Sequence, residues 1–119
     1  TDYTPETGRE ATKRLLAFPE HPTAIIYDND VMALAGLGVA ASQGIKVPEE
    51  ISIMSWDDSL MCTAAYPNLT AMGRDVVDTG KQAAGLLLKL IGGERVGHLM
   101  EGPYELRARA STGPAPAAE

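Results

Sequence analysis

With 119 residues, an apolar share of 45% and a charged share of 22%, the chain has the make-up of one small, soluble, globular domain. Its net charge of −6 argues against direct contact with DNA through this chain, because a nucleic-acid footprint is basic. The single cysteine, Cys62, excludes an intrachain disulfide and a cysteine metal cluster, and no apolar run reaches the roughly 18 residues that a membrane span needs.

The chain starts abruptly at Thr1-Asp2-Tyr3 without an initiator methionine, so it reads as part of a longer protein. Thr4-Pro5-Glu6 predicts a helix start. The hydroxyl can cap, proline fits the first helical position, and a carboxylate suits the positive end of the helix. Ala11, Leu15, Leu16 and Phe18 form an apolar stripe, and Pro19 stops the helix. A strand is expected over 23–27, a helix over 30–43 with Gly44 just past its end, and a second strand over 51–56. Both strands are almost continuously apolar, the pattern of a parallel sheet covered on both faces, and the crossover should be right-handed. The intervening helix is rich in Ala and Gly and apolar on nearly every side. It is therefore expected to be buried on two sides, one of them a subunit interface.

Residues 59–64 predict a single helical turn, ended by Pro67, and 69–72 a short strand. A helix is expected over 75–91, terminated by Gly92-Gly93. Residues 98–100 and 104–109 read as extended, the second with one wet face. From Ser111 onward Pro and Ala dominate, which predicts a disordered tail; the expected division is a domain over 1–112 and a tail over 113–119.

Both strands of the strand–helix–strand unit end in polar residues: Asp28-Asn29-Asp30 and Asp57-Asp58. In open parallel α/β sheets ligands bind beyond the carboxyl ends of the strands. A carboxylate accepts two hydroxyl hydrogen bonds and an amide both donates and accepts, so this set suits a neutral polyol, with Tyr3, Tyr27 or Trp56 covering C–H faces. The same residue types also cap helices and hold turns, and Trp56 can equally belong to the core or its rim. Arg74 can reach a ligand or pair with Asp75 or another acid. The acids could instead hold magnesium for phosphoryl transfer, but no Gly-rich lysine loop, nucleophile elbow or metal-type histidine pair accompanies them. His21 and His98 stand far apart and read as surface residues, and Cys62 reads as a buried hydrophobe.

These residues resemble the effector-binding part of the lac repressor (LacI/GalR) family of bacterial transcription regulators. The resemblance rests on Tyr3-Thr4-Pro5-Glu6-Thr7-Gly8, Pro22-Thr23-Ala24-Ile25, Asn29-Asp30-Val31-Met32-Ala33 and the run from Gly44 to Ile53. It continues through Trp56-Asp57-Asp58, Pro67-Asn68-Leu69-Thr70 and the run from Leu106 to Thr112. It implies the C-terminal part of a periplasmic-binding-protein-like domain of type I: an α/β, parallel-sheet three-layer sandwich that is partial here. It implies no enzyme activity, no cofactor and no metal. It also implies a cytoplasmic homodimer that binds a sugar-like effector and contacts operator DNA through a helix-turn-helix this chain does not contain. Asn29 and Asp57 match the effector acceptors, Tyr3 the stacking aromatic and Arg74 a pocket position. Trp56, where Tyr or Phe is more usual, joins them as a ligand contact, and Asp28 and Asp30 are left to cap the helix or hold the loop. Ala71-Met72-Gly73 departs from the usual approach to Arg74. Val31, Leu34, Ala35 and Leu37, with Met61, Cys62 and Ala65, match the dimer faces. The helix over 75–91 would pack on a subdomain absent here, leaving its leucines exposed, re-docked or swapped. A transporter's extracytoplasmic sugar-binding protein shares the architecture and is the main rival reading.

Overall fold

A computed structural model describes residues 2–98 and 102–115. It contains helices α1 (Pro5–Leu16), α2 (Asp30–Ser42), α3 (Leu60–Ala64) and α4 (Val76–Ile91), and strands β1 (Ala24–Tyr27), β2 (Ser52–Ser55), β3 (Thr70–Gly73) and β4 (Glu105–Arg107). The strands form one sheet in the order β1-β2-β3-β4, with β1, β2 and β3 parallel. The chain divides into two compact units, the first Thr1–Gly73 with Leu106–Glu119, the second Arg74–Glu105.

In the first unit, the core gathers Ile25 and Tyr27 of β1, Ile53 of β2, Met32, Ala33, Leu37 and Ala40 of α2, and Cys62, Leu69 and Ala71. Close approach explains why α2 is so poor in large residues. A Cβ on Gly36 would fall 2.6 Å from Cζ of Tyr27, so α2 lies directly over that ring. One turn earlier on α2, a Cβ on Gly8 would sit 3.0 Å from Cα of Met32, so α1 and α2 also pack nearly backbone to backbone. The buried Tyr27 hydroxyl is satisfied by the Thr12 hydroxyl at 2.7 Å, and Thr12 also donates to the Gly8 carbonyl at 2.7 Å. Burial accordingly raises the Tyr27 pKa, since the phenolate would be desolvated.

Much of the apolarity of α2 is thus used inside this chain. Met32, Ala33, Ala35, Leu37, Val39 and Ala40 are all buried without any partner subunit. Within this chain, α2 is covered by the sheet on one side and by α1 on another. The expectation of two covered sheet faces fails at β1, where burial alternates and Ile26 is 65% exposed. Phe18 lies beyond the end of α1 and is exposed, because the helix gives out at Leu16, ahead of Pro19. All three residues of β4 are exposed, so neither of its faces is dry. Residues 99 and 100 of the expected extended segment lie outside the described residues.

A disordered tail does not begin as early as Ser111. Ser111 is fully buried between β2 and β3. Its carbonyl accepts from Ile53 N–H at 2.8 Å, and its hydroxyl donates to the Ile53 carbonyl at 2.6 Å while accepting from Thr70 N–H at 2.8 Å. One serine therefore joins the two strands at their amino-terminal ends. Ser111→Ala would leave the buried Thr70 N–H without its oxygen, and is expected to cost about 2 kcal/mol in a urea unfolding titration. A loss below about 0.5 kcal/mol would show that the serine fills space only.

In the second unit, α4 is capped by Asp75, whose carboxylate accepts from Asp78 N–H at 2.8 Å, and the chain turns away after Gly92 through Gly93 at φ +81. No residue of α4 is buried; Val76, Val77, Leu87, Leu88, Leu90 and Ile91 are exposed.

Candidate functional site

β1 and β2 run side by side in the register Tyr27↔Ser55, and Trp56 N–H continues the ladder by donating to the Tyr27 carbonyl at 2.8 Å. Asn29 and Asp57 each stand two residues beyond that common rung. Parallel pairing therefore brings both to the carboxyl edge of adjacent strands, where ligands of open α/β sheets bind.

The two residues are held in different ways. Asn29 is the N-cap of α2 and its side-chain oxygen accepts from Met32 N–H at 2.8 Å. That oxygen is committed to the helix, and the amide NH2 is the part left to donate to a ligand. Of the two roles expected for Asp28 and Asp30, capping the helix or holding the loop, the first falls to Asn29 instead. Asn and Asp are nearly equivalent as caps, so residue type could not decide it. Asp57 is anchored through its main chain, its N–H donating to Ser55 Oγ at 3.1 Å and its carbonyl accepting from the same hydroxyl at 2.7 Å. Asp57 itself is exposed, and no donor among the described residues reaches its carboxylate.

The neighbouring acids are already engaged. The Asp58 side chain, 4% exposed, accepts from Arg107 Nη1 at 2.7 Å and from Arg109 Nη1 and Nη2 at 2.7 and 2.9 Å. The Arg109 hydrogen bonds, reinforced by Arg107, hold its carboxyl below the usual carboxylate range against the opposing effect of burial. Asp30 accepts a hydrogen bond from the Ser59 hydroxyl, and the negative Asp28 carboxylate raises the Tyr3 pKa. Tyr3 has φ +64, the left-handed region that a non-glycine residue enters only against steric cost. The influence of Asp28 on its hydroxyl puts Tyr3 near the β1 end of the candidate site. Trp56 is 45% exposed on the β2 side. Arg74 opens the second unit, its guanidinium carbon 5.4 Å from the centroid of the Tyr104 ring. Among the described residues no group of three or more His, Cys, Asp or Glu side chains could hold a metal ion.

A second feature lies on the first unit. Val31, Leu34 and Ala35 of α2 and Met61 of α3, with Pro5 and Arg9 of α1, line an open, mostly apolar groove of about 360 Å³. Four of the seven residues expected at a dimer face line this groove. Cys62 does not belong there: it is fully buried in the core, where desolvation raises its thiol pKa. Leu37 is likewise a core residue, and Ala65 packs half-buried against the core. The resemblance pointed to segments of α2 and α3 without separating their outer from their inner faces. Pro5 and Arg9 carried no signal for lining the groove, because nothing in a sequence shows which helix crosses α2. No helix of the described residues is long and apolar enough to cross a membrane.

Residues 1–112 match the family described as periplasmic binding protein-like domain. The transcriptional repressor CytR of Escherichia coli K12 is 40% identical over 114 residues, covering 93% of this chain and 33% of the repressor. Catabolite control protein A of Priestia megaterium is 35% identical over 112 residues, covering 93% and 34%. The chain thus spans about a third of the length of these curated relatives. Among solved structures, a LacI family transcriptional regulator from Bifidobacterium animalis is similar with a TM-score of 0.90 and 61% identity, over 99% of this chain and 43% of that one. The transcription regulator CcpA of Lactococcus lactis gives 0.86 and 31%, over 94% and 41%.

Proposed function

Because this chain belongs to the periplasmic binding protein-like domain family, in the form carried by LacI-type transcriptional regulators, we propose that it is the effector-binding and dimerisation part of such a regulator. The observation that supports the ligand site best is the pairing of Asn29 and Asp57 beyond one rung of the β1–β2 ladder, with an amide donor on one side and, on the other, a carboxylate that no donor among the described residues reaches. That combination suits a neutral ligand bearing hydroxyl groups, such as a sugar or a related small molecule, with Tyr3 and Trp56 as flanking aromatics. The apolar groove at Val31, Leu34, Ala35 and Met61 supports a homodimer seat. Effector binding performs no chemistry in this reading. It biases an equilibrium between two arrangements of a longer cytoplasmic protein, and so changes operator affinity at a helix-turn-helix outside these 119 residues.

Calorimetry of the full-length protein against a panel of sugars and nucleosides, and separately against magnesium, tests this. Saturable binding of one hydroxyl-bearing molecule, with a matching change in operator affinity, is expected. Magnesium-dependent turnover without binding of any panel member would sink the reading.

A further inference from the structure

The candidate site is built on two loops, one from β1 to α2 and one from β2 to α3, and each is fastened separately. Asn29 is tied to its own helix through Met32 N–H, and Asp57 to its own strand through Ser55 Oγ. Across the two loops the strand ladder reaches only as far as Trp56 N–H to Tyr27 O, one residue short of Asp57. Beyond that rung one side-chain hydrogen bond links the loops among the described residues: Ser59 Oγ to the Asp30 carboxylate. Asp30 follows Asn29 directly, and Ser59 follows Asp57 by two. The Ser59 hydroxyl also accepts from Met61 N–H at 3.2 Å and so caps α3, which leaves its own hydrogen to donate across the gap. Each end of this bond lies beside an effector residue and beside a helix lining the apolar groove.

We propose that Asp30 and Ser59 are positioning residues that set the separation between Asn29 and Asp57; the proposal rests on the effector-binding reading above. A hydroxyl-to-carboxylate bond is charge-assisted and short-ranged, so it adds a restraint on the loop spacing beyond the last backbone rung. The loops then meet a ligand preorganised, without the entropy cost of ordering both on binding.

Hydrogen exchange followed by mass spectrometry on the wild-type chain and on Asp30→Ala, Asp30→Asn, Ser59→Ala and Ser59→Thr provides the test. It requires no effector, so its failure is distinct from a failure of the ligand reading. Asp30→Ala, which leaves the α3 cap intact, is expected to speed exchange of the 57–62 amides, about thirty residues away in sequence, by roughly tenfold. Ser59→Ala is expected to speed 28–32 to a similar degree. Ser59→Thr, which keeps the hydroxyl, restores wild-type exchange, and Asp30→Asn, which keeps an acceptor and the fold, gives an intermediate effect. If each substitution loosens only its own helix start, or if exchange rises evenly along the chain, the bond does not couple the two loops and the proposal falls.

Discussion

On the proposed effector-binding reading, Asp57→Ala in the full-length protein is expected to weaken effector binding about a hundredfold while leaving the fold and operator binding intact. The carboxylate lies at the carboxyl edge of β2 with no donor among the described residues. Hydroxyls of a bound molecule would be its first strong partners. A hydrogen bond to a charged group contributes about 1.5–3 kcal/mol, so losing the carboxylate costs one to two powers of ten or more in affinity. The fold should not notice. The bonds that hold this position run from Ser55 Oγ to the Asp57 main chain, and alanine keeps them. Unfolding free energy is therefore expected to change by less than about 0.5 kcal/mol. The measurement is an effector titration of operator binding alongside a denaturation curve. An unchanged effector midpoint would remove Asp57 from the site, and a large stability loss would mean that its carboxylate has a structural partner.

Asp57 and its surroundings were legible in the sequence because their signal is local. Apolar runs stopped by Asp and Asn, with a small-residue helix between, specify a strand–helix–strand unit, and parallel pairing then aligns the two stops. What was not legible depends on distance. Nothing in residues 57–58 distinguishes two adjacent aspartates, yet one is exposed and the other is gripped by arginines 49 and 51 positions further on. The all-round apolar character of α2 is likewise ambiguous in one dimension. It signals burial on two sides, but a covering helix from the same chain and one from a partner leave the same composition. At Ser111 the Pro and Ala content of the following residues masked a single polar side chain whose partners, Ile53 and Thr70, lie far back in the chain.

Asp58→Ala, one residue further on, is expected to do the reverse of Asp57→Ala and destabilise the fold by about 3 kcal/mol. Its side chain is almost fully shielded and faces two guanidinium groups, so its removal leaves positive charge without its counter-ion. Arg109 dominates that cost. Its side chain is only 18% exposed, and its remaining bond is to the Leu69 carbonyl at 2.6 Å, where breaking a buried pair costs several kcal/mol. Arg107, 44% exposed, can turn to water and contributes little. The same carboxylate makes stability depend on pH. Its pKa is lowered in the folded state, so its contribution is complete above the ordinary carboxylate range, near pH 4, and is lost as pH falls through the lower folded value. Wild-type stability should therefore drop more steeply below about pH 4 than that of Asp58→Ala. Asp58→Asn, which keeps shape and acceptor but not charge, should lie between them at neutral pH. Denaturation midpoints from pH 2 to 7 for the three proteins decide it. Parallel acid limbs would mean that the arginine clamp carries no pH-dependent stability, and that Asp58 is held there by packing alone.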